Sequence, residues 1–272
     1  MAAKPVVVGV DGSEASLHAV EWAAREAERR KSPLRIVSVP EMPPRMREEP
    51  GTPTVSTSLT EYAERTLESA ITRSKELAPG LVAEGELVTG APAVVMSEAG
   101  SDALMVVVGA RGVGGFAALL LGSVSRYVAM HASCPVVVIR AETAADVQRE
   151  IAVGIRDPSE GTEALTFAFE EAALSGAELV AVHSGHGHDT SPEITRTLEE
   201  TLQEWRDKYP AVAVRPDVVH GHPAQVLAEY SARADLVVLG RHGKSGVIPA
   251  IGSKQHAVLN HARGSVAIVP ES

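Results

Sequence analysis

The chain has 272 residues, a formal net charge of −10 and only 3% aromatic residues. At one domain per ~150 residues, this length suits either one large domain or two small ones. So few aromatic side chains argue against a β-sandwich with an aromatic core and against a surface that stacks the bases of single-stranded nucleic acid. The net negative charge argues against a protein whose whole surface binds nucleic acid or anionic membranes. The sequence has no apolar run of ~18 residues and a single cysteine, Cys134. We therefore expect a cytoplasmic α/β protein with no membrane span, internal disulfide or multi-cysteine zinc site.

The first half of the chain alternates segments typical of strands and helices. Residues 5–10 form an apolar, β-branched run, as expected of a strand buried on both faces, and Ser13 can cap the helix that follows. Alternation of this kind is typical of a parallel sheet with right-handed crossovers. The predicted strands are 5–10, 34–39, 81–88, 103–108 and 135–139; the predicted helices are 14–31, 59–77, 91–99 and 123–131, with a Pro-, Glu- and Arg-rich loop at 40–54.

The second half of the chain repeats the first. Residues 88–109 align without a gap with residues 219–240, at an offset of 131, and 10 of these 22 positions are identical. The identities include Gly109 and Gly240, each of which follows a predicted strand. Two copies of one domain therefore explain the length, and we predict domains at 1–141 and 149–272.

A glycine-rich turn after the fourth predicted strand is the strongest chemical signal in the sequence. Gly109, Gly112 and Gly122 are separated by two and then nine residues, and Ser123 follows at the predicted start of a helix. Glycine lets backbone N–H groups approach an anion closely, and a helix N-terminus adds unpaired N–H groups and a partial positive charge. The hydroxyls of Ser123 and Ser125 are further candidate donors, so the turn predicts a phosphate-binding site.

Two well-known phosphate motifs are absent. Ala117 stands where a GxGxxG motif beginning at residue 112 needs its last glycine. Residues 243–245 read Gly-Lys-Ser, but the phosphate-loop motif needs a glycine where Val238 stands. The sequence therefore predicts neither a Walker ATPase nor a conventional dinucleotide-binding domain.

Four segments occur in a characteristic order that covers nearly the whole chain. They are Gly9-Val10-Asp11-Gly12-Ser13, Gly90-Ala91-Pro92, the turn at 109–125, and His131-Ala-Ser-Cys134-Pro135 leading into the fifth strand. In this order and in duplicate they resemble the universal stress protein family in its tandem two-domain form. The resemblance implies an α/β fold of two tandem Rossmann-like domains, of the adenine nucleotide alpha hydrolase-like type. Each would be a five-stranded parallel sheet of strand order 3-2-1-4-5 with helices on both faces.

The same resemblance implies an adenine nucleotide as ligand: ATP, with or without Mg²⁺. Asp11 and Val39 would face the ribose and the adenine, and residues 112–125 would hold the phosphates. The family also implies pairing through strand five, either between two chains or between the two domains of one chain. The contacts expected in the first copy are Gly9, Asp11, Val39, Gly109, Arg111, Gly112, Val113, Gly114, Gly115, Gly122, Ser123, Val124 and Ser125.

The second copy departs from this pattern. Eight residues rather than nine separate Gly243 from Gly252, Pro249 removes an N–H donor, and Asp157 matches Asp11 only if one residue is inserted. Added positive charge favours nucleotide binding with altered geometry; the alternative is a diverged half kept for packing. The contacts expected in the second copy are Gly154, Asp157, Gly240, Arg241, His242, Gly243, Lys244, Gly252, Ser253 and Lys254.

Histidines cluster at predicted strand ends in the second copy, where a parallel sheet would bring them to one edge. Six of the ten occur there: His183, His186, His188, His220, His222 and His242. His183, His186 and His188 are candidate ligands of a metal ion. The alternative, which we favour, is a set of solvated loop histidines with no metal.

Three functions are compatible with the sequence. The first is an ATP-binding, nucleotide-responsive module in stress signalling, with an unidentified partner and little or no turnover, because no nucleophile–base pair stands out and we assign no catalytic residue. The second is a slow ATPase or nucleotidyl hydrolase that uses Asp11, Arg111 or the second-copy histidines. The third is a nucleotide-free scaffold that acts through its strand-five edges.

Overall fold

The computed structural model describes residues 3–40, 53–112, 121–140, 149–158, 162–185, 190–242 and 253–271. The chain divides into two compact units, Met1–Ile139 (unit one) and Arg140–Ser272 (unit two). In each unit, helices accompany a sheet of parallel strands. The predicted α/β fold in two tandem copies is thereby confirmed.

Unit one contains five strands and four α-helices in its described residues. The chain pairs β1 (Val6–Val10) with β2 (Leu34–Ser38) and β2 with β3 (Ala83–Leu87). It then returns to pair β4 (Met105–Gly109) with the other side of β1 and with β5 (Val136–Ile139), so the order is β3-β2-β1-β4-β5. The carboxyl ends of β1 and β4 therefore form the switch point at which ligands bind in open α/β sheets. The elements are β1 (Val6–Val10), α1 (Glu14–Arg30), β2 (Leu34–Ser38), α2 (Pro53–Leu77), β3 (Ala83–Leu87), α3 (Pro92–Glu98), β4 (Met105–Gly109), α4 (Ser123–His131) and β5 (Val136–Ile139).

Local sequence explains why α1 forms where it does. The Ser13 side chain accepts a hydrogen bond from the Ser16 amide at 3.2 Å, which caps the helix. The buried face is built from small residues such as Ala19, Ala23 and Ala27. These small side chains let the helix lie close to the strands beneath it, which matters for the glycines described below.

Helix α2 begins at Pro53, six residues before the predicted start at residue 59. The prediction was wrong here, because the first turn of a helix accepts proline, whose amide would be unpaired there and whose φ already suits a helix. The remainder of the predicted loop, residues 41–52, lies outside the described residues.

Unit two repeats the arrangement, with strands β6 (Glu150–Ile155), β7 (Glu178–Gly185), β8 (Val214–His220), β9 (Leu236–His242) and β10 (Val266–Glu271) in the order β8-β7-β6-β9-β10. Val238 and Val153, like Val107 and Val8 in unit one, lie in register on paired central strands. In the part of the chain that the structure describes, no helix combines the length and apolar character needed to cross a membrane. The elements are β6 (Glu150–Ile155), α5 (Glu163–Ser175), β7 (Glu178–Gly185), α6 (Pro192–Lys208), β8 (Val214–His220), α7 (Pro223–Tyr230), β9 (Leu236–His242), α8 (Ser253–His261) and β10 (Val266–Glu271).

Candidate functional site

The turns that follow β1 and β4 meet at the carboxyl edge of unit one. The Ser13 Oγ lies 3.3 Å from the Arg111 carbonyl oxygen. Gly112 lies against the Asp11 carboxylate: a Cβ built on Gly112 would stand less than 3.0 Å from Asp11 Oδ2. Two segments that are about a hundred residues apart in sequence, and that both carry predicted site residues, are therefore adjacent.

The Asp11 side chain is held by the first turn of α1. Its Oδ1 accepts hydrogen bonds from the Ser13 amide at 3.0 Å and the Ser13 hydroxyl at 2.6 Å. Oδ2 is the oxygen that faces Gly112. The carboxylate thus has a fixed orientation, with one oxygen on the β1 turn and the other towards the β4 turn.

Val39 lies beside Asp11 at the same edge. Val10 pairs with Ser38, so the residues that follow them, Asp11 and Val39, stand at the same level on neighbouring strands. Both are half-buried. The predicted ribose and adenine contacts are thus brought together.

The start of α4 completes the edge. Gly122 is the N-cap residue and its amide donates to the Ala110 carbonyl at 2.7 Å, which ties the helix start to the end of β4. The first backbone bond of the helix runs from the Arg126 amide to Gly122, so the amides of residues 123–125 have no intrahelical partner. The helix start that the sequence predicted at Ser123 is therefore present, and anion binding by it stays a prediction. Val113, Gly114 and Gly115 lie outside the described residues.

Ser125 has a different position from the one expected. Its residue is 2% exposed, and its hydroxyl donates to the carbonyls of Ala110, at 3.1 Å, and Gly122, at 3.2 Å. The single hydroxyl proton is thus used inside the turn, in contrast to the ligand-donor role predicted for it. Ser123, two residues earlier in the chain, is exposed.

Two of the predicted glycines have roles in packing. A Cβ on Gly109 would lie 2.6 Å from the Ala15 carbonyl carbon, because β4 ends directly against the backbone of α1. A Cβ on Gly9 would lie 3.1 Å from the Met96 side chain on α3. Gly109 is therefore required for the fold itself, independently of any ligand, whereas a side chain at Gly9 needs only a small shift of Met96.

Sequence analysis missed Tyr62. Its hydroxyl donates to the Asp11 carbonyl at 3.4 Å, and its side chain is 45% exposed at the rim of the edge. Gly12 makes room for it: its φ is +84°, and a Cβ there would meet the Tyr62 hydroxyl and lie 3.3 Å from the Thr66 hydroxyl. An aromatic residue on an otherwise charged helix, in a chain with so few aromatics, was the available signal.

In unit two, the carboxylate that follows β6 is shifted along the chain. Gly154 pairs with Val182 as Gly9 pairs with Val37. Asp157 is therefore one residue further from the strand than Asp11, and its residue is exposed. The inserted residue predicted from the sequence accounts for this shift.

The β9 turn of unit two is described only in part. Gln255 Nε2 donates to the Gly240 carbonyl at 3.0 Å, and thereby ties α8 to the end of β9 as Ser125 ties α4 to the end of β4. Arg241, predicted as a nucleotide contact that adds positive charge to the second copy, is only 6% exposed. The side chains of His242, Ser253 and Lys254, and all of Gly243, Lys244 and Gly252, lie outside the described part of the chain.

A second acidic residue, Glu271, stands at this edge and was also missed. Its carboxylate accepts hydrogen bonds from the amides of Glu163, at 2.9 Å, and Ala164, at 3.1 Å, at the start of α5. A Cβ on Gly240 would lie less than 3.0 Å from Glu271 Oε1.

The candidate metal site receives no support within the described residues. His183 is 7% exposed and its Nδ1 lies 3.0 Å from the Ile155 carbonyl, so this nitrogen carries the proton. The Thr190 hydroxyl lies 3.0 Å from Nδ1 of His220. No group of three or more His, Cys, Asp or Glu residues arranged to hold a metal occurs among the residues that can be described, and His186 and His188 are not among them.

Comparison with known proteins agrees with this architecture. The model of the universal stress protein family matches residues 2–140 and 148–270. Universal stress protein Rv2005c of Mycobacterium tuberculosis is 36% identical over 290 residues, covering 98% of this chain and 97% of the relative. Universal stress protein Rv2623 of the same organism is 34% identical, with 98% of this chain and 96% of the relative covered. A universal stress protein structure from Archaeoglobus fulgidus has the same fold, with a TM-score of 0.77 at 20% identity and 100% and 97% of the two chains covered. The chain therefore belongs to the universal stress protein family.

Proposed function

We propose that unit one binds an adenine nucleotide, ATP in the first instance, and that the protein is a nucleotide-responsive stress-signalling module with little or no catalytic turnover. The observation that carries the proposal is the contact between Gly112 and the Asp11 carboxylate, beside the N-terminal amides of α4. It supports the proposal because a carboxylate suited to hydroxyl groups and a helix start suited to an anion lie at one edge of the sheet.

The chemistry of this edge suits the two ends of a nucleotide. A fixed carboxylate accepts hydrogen bonds from vicinal hydroxyls such as those of ribose, and the half-buried Val39 offers an apolar surface to a base. Phosphate fits the amides of residues 123–125, because backbone N–H groups at a helix start bind anions without a cationic side chain. Charge-assisted hydrogen bonds of about 1.5–3 kcal/mol each would bring micromolar affinity within reach, which corresponds to about 8 kcal/mol.

The orientation of Asp11 argues against rapid hydrolysis. Its Oδ1 accepts two hydrogen bonds from Ser13. These two hydrogen bonds occupy Oδ1 and fix the position of the carboxylate. We infer a group that orients a ligand, which fits a binding module better than a hydrolase.

Ligand identification tests the proposal directly. Freshly purified protein is denatured, and the released small molecules are identified by mass spectrometry and compared with those bound after dialysis against ATP. We expect about one equivalent of an adenine nucleotide per chain, bound at unit one. If no nucleotide is released and none binds from solution, the proposal is wrong and the nucleotide-free scaffold is favoured.

Steady-state hydrolysis distinguishes the remaining alternative. A binding module should release phosphate from ATP far more slowly than about 1 s⁻¹, the low end of typical enzyme rates. Turnover above that rate, abolished in an Asp11→Asn variant, would instead favour an ATPase or nucleotidyl hydrolase.

A further inference from the structure

The outer edge of β3 in unit one is open. Strand β3 pairs with β2, and the Val82 carbonyl just before β3 accepts a hydrogen bond from the Leu34 amide at 2.9 Å. In a parallel pair, the backbone groups of alternate residues face the neighbouring strand. The backbone groups that face outwards are therefore those of Ala83, Gly85 and Leu87. In the part of the chain that the structure describes, no strand pairs with this side of β3, so it presents a row of unpaired donors and acceptors.

The corresponding edge of unit two is closed. Pro216 of β8 stands where β3 has Gly85, and proline has no amide hydrogen to donate. The Val214 carbonyl, which faces the same way, accepts a hydrogen bond from Arg206 Nη2 of α6 at 3.3 Å. Proline is a usual means by which proteins protect an edge strand. The glycine of unit one instead leaves an outward amide accessible.

The two faces of the β3 edge, residues 83–87, differ in chemistry. Glu84 and Glu86 are exposed on one face, about 7 Å apart along the strand. Neither forms an ion pair with another described residue. The other face lies towards α2, because a Cβ on Gly85 would lie 2.6 Å from Ile71 Cδ1, and Leu87 shares that face and is 37% exposed. The β3 edge thus combines a row of negative charge on one face with an apolar surface on the other.

We propose that the β3 edge binds an extended segment of a partner protein by strand addition, and that this segment alternates basic residues with β-branched apolar ones. The main chain of such a segment would bond to the outward backbone groups of β3, which supply the affinity in strand addition. Its basic side chains would lie beside the two glutamates, and opposite charges on neighbouring strands stabilise their pairing. Its apolar side chains would extend the surface formed by Leu87 and Ile71.

A second copy of this chain does not fit the β3 edge. Two β3 strands side by side would each bring Glu84 and Glu86 to one seam, where like charges on neighbouring strands oppose pairing. Strand β8 of another copy is closed by Pro216 and Arg206. The charge of the β3 edge therefore disfavours copies of itself and selects a segment of opposite charge.

Fluorescence anisotropy with a labelled peptide tests the inference. The probe is a capped peptide of alternating lysine and valine, as long as β3, titrated with the intact chain without added nucleotide. A second peptide carries N-methyl groups on the residues whose amides would face β3, so it keeps the charge and loses those hydrogen bonds. We expect the first peptide to bind at least about tenfold more tightly than the second. It should also slow hydrogen exchange, measured by NMR, at the amides of Ala83, Gly85 and Leu87.

Two variants locate the binding. Glu84→Gln combined with Glu86→Gln removes both charges from exposed positions and should weaken binding of the lysine–valine peptide about tenfold. The matched control, Glu200→Gln combined with Glu204→Gln, removes the same charge from exposed positions of α6 and should change nothing. Leu87→Pro removes an outward amide that the fold does not use, and it should weaken binding at least about tenfold.

Failure of the lysine–valine peptide to bind, equal binding of the N-methylated peptide, or an unchanged affinity in the double glutamine variant at β3 would overturn the inference. So would wild-type affinity in a Leu87→Pro protein whose circular dichroism shows that it is folded. These outcomes leave the proposed nucleotide binding untouched, because β2 separates the β3 edge from the turns after β1 and β4.

Discussion

Gly112 lies against the carboxylate of Asp11, although 101 positions separate the two residues in the chain. The contact joins the turn after β1 to the turn after β4, at the point where the strand order of unit one reverses. Sheets of this type bind ligands at that point. This contact therefore gives the candidate site its defined chemistry, a carboxylate beside a glycine-rich turn.

The glycines of unit one should separate into those needed for the fold and those needed for the ligand. Gly109→Ala would place a Cβ 2.6 Å from backbone atoms of α1, which cannot turn away. We expect a loss of about 1–3 kcal/mol in the free energy of unfolding, as for other overpacked sites. Denaturant unfolding followed by circular dichroism measures it.

Gly122→Leu provides the contrast. A Cβ at Gly122 would lie 3.3 Å from Ala110 O and Ser125 Oγ, so its first carbon needs only a small adjustment, but the rest of the side chain would cover the start of α4. We expect ATP affinity to fall at least tenfold with a smaller loss of stability than in Gly109→Ala. Intact ATP binding in Gly122→Leu would mean that the phosphates are held elsewhere.

Gly12 and Tyr62 should be coupled. Gly12→Ala forces an alanine into a φ of +84° and against the Tyr62 hydroxyl. We expect a destabilisation of about 1–2 kcal/mol. In a Tyr62→Phe background, which removes the hydroxyl, the same substitution should cost less. A double-mutant cycle by urea unfolding measures the difference, and strictly additive effects would contradict the contact.

The Ser125 hydroxyl should support the site from within. Ser125→Ala removes the hydrogen bonds to Ala110 and Gly122, at an expected cost of about 1 kcal/mol in stability. Because the hydroxyl is buried, it should not contact ATP itself. We expect ATP affinity to fall only to the extent that the turn becomes less stable. Gln255→Ala in unit two is the matched variant. A loss of ATP binding by Ser125→Ala without any loss of stability would instead indicate a direct contact with ligand.

Much of this arrangement could be predicted from the sequence, because local patterns carry it. Buried runs of Val and a capping Ser13 specify β1 and α1, and the repeat specifies the second unit. What could not be predicted depends on contacts between distant segments. Tyr62 and Glu271 reach this end of the sheet from elements whose own sequence patterns indicate only a solvated helix and a buried strand.

The same limit explains the revised role of Ser125. A serine near a helix start is equally compatible with donating to a ligand and with donating to a nearby carbonyl. Only the position of the Ala110 carbonyl beneath it distinguishes the two. Pairing through strand five, the domain limits at 1–141 and 149–272, and the choice of ATP among adenine nucleotides stay predictions.

The central claim is that the Asp11–Gly112 edge of unit one binds the nucleotide, and calorimetric titration of ATP into Gly112→Ala and Gly80→Ala tests it most directly. Gly80 has open space where a Cβ would lie, so an added methyl should be harmless, whereas the methyl at residue 112 would collide with Asp11 Oδ2 and must shift that carboxylate. We predict wild-type affinity in Gly80→Ala and an affinity at least tenfold weaker at the unit-one site in Gly112→Ala, with both proteins folded. If a folded Gly112→Ala protein bound ATP with the affinity of the wild type, the account would be contradicted.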